Sequence, residues 1–510
     1  MKNKLDESLK LIAKTSFVVL IGIIISKLSL YIYRVIIARY YGPEVYGLFS
    51  LALMILNLFV AISALGLSEG ILRYVPLYRS KSDFSKIKKL FKITNYISLF
   101  SSIFFAVILF FSAKFISVNI FHNQDLTIFI KIAGLILPFY VLSGLYLSLI
   151  RAFEMINLYS FLINIFQNVL KVVALGIFIW LGLNSSWIMV SFFIGILLMF
   201  IFVYYFCKTK IKEIFKLRKE SKERNENEFL KPLFFYSLPL MFSGVFSIVY
   251  YWIDSFAIGY LKQVIDVGFY NAVVPIALLI TIIPDLFIQL FYPLITKEYA
   301  KKNFKLIEEL SKQVVKWIFV ISLPLFLLII LFPGVVINFL FGPDYLIAEH
   351  ALQILSAGAF ISILTGILTT LLSMVGKSKT IFLNLVLTSI LNIVLNFLLI
   401  PKYGITGAAL ATSIVWVALI IILFIEVKLT LSFIPLRRKL IRVALISIIP
   451  LAILMIIRSF IKITLLSSFL SGVLIILIYF ILIFITGCLD KNDWMIIKSF
   501  KNKLSSIKIS

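Results

Sequence analysis

Charged residues are scarce in this chain: they make up 14% of its 510 residues, whereas hydrophobic residues make up 62%. A water-soluble domain with so few charges would expose a very large apolar surface to water. The composition therefore excludes a soluble protein, and it predicts that lipid surrounds most of the chain.

Cysteine and histidine each occur only twice. Cys207 and Cys488 fall at the expected cytoplasmic ends of apolar segments, so we expect free thiols and no disulfide bond. His122 and His350 lie in different outer loops without neighbouring ligand residues, so the sequence predicts no metal site.

Long polar segments are also missing. The string GxxxxGK[ST], which binds ATP phosphates, occurs nowhere, and no polar stretch exceeds about two dozen residues. The chain therefore offers no room for an external catalytic domain, and we expect a protein that is not an enzyme and holds no cofactor. The energy for any transport must come from a gradient of Na⁺ or H⁺ or from the substrate itself.

Apolar segments of membrane-spanning length are abundant. A helix that crosses a bilayer needs about 20 mostly apolar residues. Fourteen such segments occur at 15–38, 47–70, 93–118, 128–150, 158–181, 187–207, 234–259, 269–292, 313–340, 351–374, 380–400, 406–427, 440–460 and 465–487. No small-residue cleavage site follows the first segment, so we expect it to remain. The sequence predicts an all-α integral membrane protein with about 14 transmembrane helices.

The basic residues are distributed unevenly between the two sides of the membrane. With the amino terminus inside, the inner segments hold 39 of the 49 Lys and Arg residues, the outer loops hold 7, and the helix interiors hold 3. Membrane proteins show this asymmetry towards the cytoplasm. The net charge of +26 therefore faces anionic membrane lipids rather than a nucleic acid. We expect a multi-pass plasma-membrane protein with both termini in the cytoplasm.

Similar residues recur at a fixed distance in the two halves of the chain. Tyr40 and Phe121 match Tyr260 and Phe341, 220 positions later, and the offset becomes 222 at Gly182 and Gly404. Each repeat has six spans, an even number, so an axis along the membrane normal must relate the two halves. This arrangement is typical of transporters.

The mixed-charge segment 208–231 separates the two repeats. We predict an N-terminal lobe at 1–207, a cytoplasmic linker at 208–231 and a C-terminal lobe at 232–427. The segment 428–510 adds two helices without a repeat partner and a cytoplasmic tail.

Three basic residues fall inside predicted helices, where an ionisable group costs several kcal/mol unless it is paired or meets water. They lie on two polar faces, one formed by Lys27, Tyr31 and Arg34 and the other by Asn164, Gln167, Asn168 and Lys171. Two positive faces that line one cavity would bind a pyrophosphate or another acidic group. Alternatives stay open: Arg34 could snorkel to the outer surface, and the two lysines could have structural roles.

The second half carries hydrogen-bonding groups instead of positive charge. Polar residues of the eleventh helix repeat every four positions at Asn384, Thr388, Asn392 and Asn396, a pattern that suits sugar hydroxyls but also the packing of membrane helices. Asp254 could pair with Arg34 and close an outer gate. Asp285 could couple transport to a cation or serve helix packing.

Several sequence strings resemble one membrane family. They are ARYYGPEVYG at 38–47, GLSEGILRYVPLY at 66–78, FGPDYLIAEHALQILSAG at 341–358, LLSMVGKSK at 371–379 and PKYGITGAALATS at 401–413. They resemble the polysaccharide biosynthesis and O-antigen flippase family, within the superfamily of multidrug, oligosaccharidyl-lipid and polysaccharide exporters. The resemblance implies a V-shaped pair of six-helix lobes, alternating access and export of an undecaprenyl- or dolichyl-linked oligosaccharide. Related murein-precursor flippases carry cationic residues on the first helix, as Lys27 and Arg34 do here.

The predicted function is therefore to flip a lipid-linked oligosaccharide from the inner to the outer leaflet for cell-surface glycan assembly. We expect the partners to be this substrate, membrane lipids and other glycan-assembly proteins, and we expect a monomer. The alternatives are a cation-coupled multidrug exporter, a membrane glycosyltransferase or polymerase acting on the same lipid carrier, and a lipid scramblase.

Overall fold

The computed structural model describes residues 2–211, 214, 226–437 and 465–486, with isolated positions between 439 and 452. The side chains of residues 2–28, 30, 226–230, 290, 465, 466, 468 and 469 lie outside this description.

Every regular element in the described part of the chain is a helix. The α-helices are α1 (Lys2–Ser63), α2 (Leu67–Ser80), α3 (Phe84–Phe115), α4 (Leu126–Ala152), α5 (Ile156–Phe161), α6 (Gln167–Trp180), α7 (Trp187–Lys210), α8 (Glu226–Leu261), α9 (Val264–Ala277), α10 (Ile282–Ala300), α11 (Phe304–Leu331), α12 (Pro333–Leu340), α13 (Glu349–Ile361), α14 (Thr365–Met374), α15 (Ser378–Tyr403), α16 (Ile405–Leu431) and α17 (Leu465–Ile485). Short 3₁₀ segments lie at Leu278–Thr281, Pro343–Ala348 and Ser362–Leu364, and π-helical segments lie at Ile116–Ile120 and Leu162–Phe166.

Eleven helical stretches of the described residues are long and apolar enough to cross a membrane, and a shorter apolar helix covers Leu470–Ile485. The prediction of an all-helical, multi-pass membrane protein is confirmed. The first two predicted segments fall in α1, which consists of two helices joined at Gly42, where the backbone is not helical and φ is 83°. The thirteenth predicted segment, 440–460, lies mostly outside the described residues. The number fourteen therefore stays a prediction.

Local backbone features recur at the offset found in the sequence. The side chain of Asp83 caps α3 by accepting from the backbone N–H of Lys86, and Asn303 caps α11 in the same way, 220 positions later. The residues that precede the two caps, Ser82 and Lys302, have φ values of 55° and 57°. The two halves thus share local geometry, while the two-lobe arrangement itself stays a prediction.

The chain divides into two compact units. Unit 1 comprises Met1–Pro275, Leu340–Ala351 and Phe382–Val415, and unit 2 comprises Ile276–Phe339, Leu352–Ile381 and Trp416–Ser510. In unit 2, α17 packs against α11, because Tyr479 is fully buried and its hydroxyl donates to the carbonyl of Val320 at 3.0 Å. The additional C-terminal helix is therefore part of the core of unit 2.

Two glycines bring helix backbones into direct contact in unit 1, at the end that the charge asymmetry predicts to lie outside, here called the outer end. A Cβ atom on Gly47 would lie 2.0 Å from the carbonyl oxygen of Val264, and one on Gly268 would lie 1.9 Å from that of Pro43. Only glycine leaves space for this approach. The bend of α1 and the start of α9 are thereby joined reciprocally.

Two phenylalanines make a second reciprocal contact at the outer end of unit 1. Phe121 packs edge-to-face on Phe256 of α8, with ring centroids 5.7 Å apart, and Gly259 leaves space for its ring. Phe341 packs on Tyr31 and Tyr46 of α1 at 6.0 and 6.3 Å. Each of the two phenylalanines therefore packs on a helix from the other half of the sequence.

Candidate functional site

Arg34 lies half-buried in unit 1 among tyrosine side chains. Its guanidinium is hydrogen-bonded to the hydroxyl of Tyr46, and the side chains of Tyr31 and Tyr251 lie near it. Tyr46 in turn donates to the backbone carbonyl of Asn271 at 3.2 Å. No carboxylate of the described residues lies within ion-pair distance of Arg34. Within the described part of the chain, the guanidinium is left with donors that can bind an anion.

Tyr31 adds a further donor to this place. Its hydroxyl is buried and has no hydrogen-bond partner among the described residues. A buried hydroxyl without a partner costs about 1–3 kcal/mol. A ligand oxygen that accepted from both Tyr31 and Arg34 would remove this cost. We call Arg34, Tyr31, Tyr46 and Tyr251 the arginine cluster.

Asp254 lies at the centre of a second, fully buried cluster in unit 1. One carboxylate oxygen accepts from the hydroxyls of Tyr270 at 2.7 Å and Thr412 at 2.5 Å, and the other accepts from the amide of Asn396 at 2.7 Å. The Asn396 amide also contacts the side-chain oxygen of Asn392 at 2.7 Å, and its own oxygen has no partner among the described residues. We call these five residues the aspartate cluster.

The ion pair expected between Arg34 and Asp254 is absent from this conformation. The carboxylate is instead held by neutral donors from α9, α15 and α16. Tyr270, which donates to Asp254, is followed by Asn271, whose carbonyl accepts from Tyr46 of the arginine cluster. The two clusters are thus neighbours in one polar region of unit 1.

Lys171 lies apart from both clusters, in the packing of α6 on α7. Its side chain is 5% exposed, and its ammonium sits 4.0 Å from the ring centroid of Phe192. Gly195 leaves space for its stem, since a Cβ atom there would lie 2.4 Å from Cγ of Lys171. This is a cation–π contact in a desolvated place. Among the described side chains, no carboxylate pairs with this lysine.

The other members of the predicted polar face in this span are placed by a π-helical segment. Asn164 lies within Leu162–Phe166 and donates to the hydroxyl of Ser160 at 3.0 Å. Gln167 and Asn168 follow it and are each 8% exposed. Segments of this type change the helical register and are frequent at functional sites.

The polar stripe on α15 is buried along its whole length. Asn384, Thr388, Asn392 and Asn396 are between 0 and 4% exposed. Asp285, in unit 2, is exposed on α10. Lys27 lies in α1, but its side chain falls outside the described residues.

Sequence analysis missed the neutral partners of both clusters. Tyr46, Tyr251, Tyr270 and Thr412 carry no charge and belong to no periodic polar face, so only the folded chain reveals their role. Lys316 was not among the three basic residues predicted inside helices, although its side chain is fully buried in unit 2. The signal that could have revealed Lys316 is its position inside the apolar segment 313–340.

Comparison with known proteins shows the family and the fold of the chain. The family model described as "Polysaccharide biosynthesis protein" matches residues 12–299, and the MatE model matches residues 239–398. The chain is 23% identical to a putative O-antigen transporter of Shigella flexneri over 74% of this chain and 88% of that protein. It is 24% identical to the lipid II flippase MurJ of Bacillus subtilis over 81% and 82%.

A solved structure shows the same fold. The lipid II flippase MurJ in an inward closed conformation superposes with a TM-score of 0.69 at 20% identity, over 90% of this chain and 97% of that one. These relatives are transporters rather than enzymes. The family model covers more than half of the sequence, and the chain belongs to the polysaccharide biosynthesis protein family of membrane proteins.

Proposed function

We propose that this protein is an alternating-access transporter that carries a lipid-linked oligosaccharide, joined to its polyprenyl carrier by a phosphate or pyrophosphate, from the inner to the outer leaflet of the plasma membrane. The transported sugar would serve the assembly of a cell-surface glycan. The arginine cluster is the observation that carries this proposal.

The arginine cluster fits an anion because a cation without a carboxylate partner is expensive inside a membrane. Phosphate oxygens accept hydrogen bonds from guanidinium in a two-pronged geometry. The hydroxyl of Tyr31, which has no partner among the described residues, can donate to the same group. Polar groups of the buried stripe on α15, including Asn384 and Asn392, are proposed to contact sugar hydroxyls when the transporter opens.

The names of two relatives support a lipid-linked substrate. One is a putative O-antigen transporter and the other a lipid II flippase. The proposed architecture comprises lobes 1–207 and 232–427, the linker 208–231 and the added segment 428–510. We propose that the protein works as a monomer beside other glycan-assembly proteins, with both termini in the cytoplasm.

The proposal is tested with purified protein in phospholipid vesicles that contain a fluorescent polyprenyl-pyrophosphate oligosaccharide. Flipping is measured as the fraction of fluorophore that an impermeant quencher reaches over time. We expect wild-type protein to accelerate flipping and Arg34→Gln to abolish most of the gain. Arg39→Gln removes the same charge at an exposed position of α1 and serves as the control.

Equal flipping by Arg34→Gln and wild type would contradict the role of the arginine cluster. No acceleration by wild type, together with export of a cationic dye from the same vesicles, would favour a multidrug exporter. That alternative has a specific basis, because the MatE match at 239–398 includes Asp254.

We further propose that the aspartate cluster couples transport to Na⁺ or H⁺. The carboxylate of Asp254, the hydroxyl of Thr412 and the amide oxygen of Asn396, which has no partner among the described residues, are hard oxygen donors that suit a small cation. A proton on Asp254 would be donated to the hydroxyl of Tyr270 or Thr412, each of which can accept as well as donate.

Cation binding is checked by the melting temperature of the detergent-purified protein in NaCl and in choline chloride. We expect Na⁺ to raise the melting temperature of wild type and of Asp285→Asn but not of Asp254→Asn. An equal increase in all three proteins would rule out Na⁺ at Asp254. If Na⁺ raises the melting temperature of wild type and Asp254→Asn but not of Asp285→Asn, the Na⁺ site lies on α10.

A further inference from the structure

An apolar cavity of about 200 Å³ lies in unit 1 between α1, the end of α3 and α8. All twelve residues that line it are hydrophobic or aromatic, among them Leu58 and Phe59 of α1 and Ile248 and Trp252 of α8. Several of these side chains, including Leu58 and Ile248, are only half-buried, so the cavity is open rather than sealed. Its chemistry suits a hydrocarbon chain and no polar ligand.

The depth of the cavity places it within the hydrocarbon layer. Its residues on α8 run from Ile248 to Phe256, and α8 ends at Leu261. At 1.5 Å per residue, the cavity lies roughly 8 to 20 Å from the outer end of this helix. Arg34 is eight residues before the bend at Gly42, about 12 Å by the same measure. The cavity and the arginine cluster therefore lie at the same depth.

The two places occupy different faces of α8. Tyr251 belongs to the arginine cluster, whereas its neighbour Trp252 lines the cavity, and their ring centroids are 5.4 Å apart. A lipid whose phosphate is bound at Arg34 must pass its tail between two helices to reach the membrane. The cavity offers such a passage between the second part of α1 and α8.

Phe121 forms the outer wall of the cavity and also lines a second, polar opening of about 330 Å³. Glu44, His122 and Lys262 are among the residues around this opening. Lys262 donates to the carbonyl of Pro401 at 3.2 Å. Phe121 is therefore the side chain at which the lining residues change from apolar in the cavity to polar in the outer opening.

We propose that the cavity between α1, α3 and α8 holds the hydrocarbon tail of the lipid-linked substrate while its phosphate is bound at Arg34. This inference rests on the proposed function and adds the route of the tail. Phe121 is then the side chain that separates the tail from the polar opening at the outer surface.

Photo-crosslinking of the full chain tests the position of the tail. The photoreactive residue p-benzoylphenylalanine replaces Leu58 in one variant and Phe111 in the control, a residue of α3 that is 79% exposed. Both variants are placed in phosphatidylethanolamine vesicles that contain an alkyne-bearing undecaprenyl phosphate. We expect labelling at position 58 to exceed that at 111 several-fold and to fall when unlabelled undecaprenyl phosphate is added.

Equal labelling at the two positions overturns the proposal. So does equal labelling of position 58 by an alkyne-bearing phospholipid at the same mole fraction, because ordinary membrane lipid would then fill the cavity. Neither readout requires transport, so these results stand even where wild-type protein fails to flip the oligosaccharide and the proposed function fails.

A filling substitution provides an independent measurement. Leu58→Trp narrows the cavity, whereas Phe111→Trp adds a similar side chain on the exposed face of α3. We expect Leu58→Trp to slow flipping of the lipid-linked oligosaccharide several-fold and to reduce crosslinking at a p-benzoylphenylalanine placed at Ile248. Unchanged crosslinking and flipping in Leu58→Trp would argue that the tail runs elsewhere.

Discussion

At the scale of the residue, Lys171 poses an energetic question. Desolvation of an ammonium costs several kcal/mol. The contact with Phe192 returns about 2 kcal/mol when it is desolvated. No carboxylate among the described side chains adds further stabilisation to the ammonium of Lys171. A cation retained at such a cost is better explained by function than by stability.

Replacing this lysine separates the two explanations. Lys171→Met keeps the length of the stem and removes the charge, so we expect an unchanged or higher melting temperature and a large loss of flipping. Thermal unfolding in detergent and the vesicle assay measure the two quantities. Phe192→Leu should lower the melting temperature, because it removes packing and the cation–π contact. If Lys171→Met flips normally but melts at a lower temperature, the lysine is structural.

Sequence reasoning identified charged residues better than their partners. Arg34, Lys171 and Asp254 stand out because an ionisable residue inside an apolar segment is unusual. Their neighbours Tyr46 and Thr412 do not, because tyrosine and threonine are common in membrane helices. Asn396 and Thr412 donate to Asp254 although they lie 142 and 158 positions after it in the chain, so tertiary packing determines these contacts. No local pattern contains that information.

At the scale of the element, apolar length predicted the spanning helices well. The start of α7 matches the prediction at residue 187. The start of α3 was placed nine residues too late, at 93 instead of 84, because its first turns are polar and are fixed by the Asp83 cap. The π-helical turn at Leu162–Phe166 could not be predicted, since no residue type specifies it.

The glycine contact between α1 and α9 leads to a prediction about the outer end of unit 1. Gly47→Ala places a methyl group 2.0 Å from the carbonyl oxygen of Val264, so the two helices must separate. Overpacking costs about 1–3 kcal/mol, which shifts a two-state equilibrium about 5- to 150-fold. We expect Gly47→Ala to favour a conformation that is open at the outer end.

Thiol labelling measures this opening. Ala38→Cys introduces a buried reporter beneath the outer end, at 1% exposure. An impermeant maleimide added outside should label it several-fold faster in the Gly47→Ala background. Gly176→Ala is the matched control, because nothing lies within 4 Å of a Cβ atom there. Equal rates in both backgrounds would mean that the glycine contact plays no part in outer closure.

At the scale of the whole molecule, composition and charge asymmetry predicted the class of the protein without any motif. A chain with 62% hydrophobic residues and 14% charged residues can only be folded in lipid. The compact units were not predictable, because unit 1 combines residues from both sequence repeats. Contacts such as those of Gly47 with Val264 and of Phe341 with Tyr46 join distant parts of the chain within it.

The number of spans leads to a prediction about the two termini. Fourteen spans place both termini in the cytoplasm, whereas a 440–460 segment that does not cross would place the carboxyl terminus outside. The basic residues Arg437, Arg438 and Lys439, just before this segment, favour retention of its start on the inner side. We expect a fluorescent protein that folds only in the cytoplasm to fluoresce when it is fused to either terminus. Alkaline phosphatase, which is active only outside the cytoplasm, should be inactive when fused to either terminus and active when fused after Lys262. If phosphatase is active at the carboxyl terminus but not at the amino terminus, the number of spans is thirteen and α17 crosses the membrane in the opposite direction.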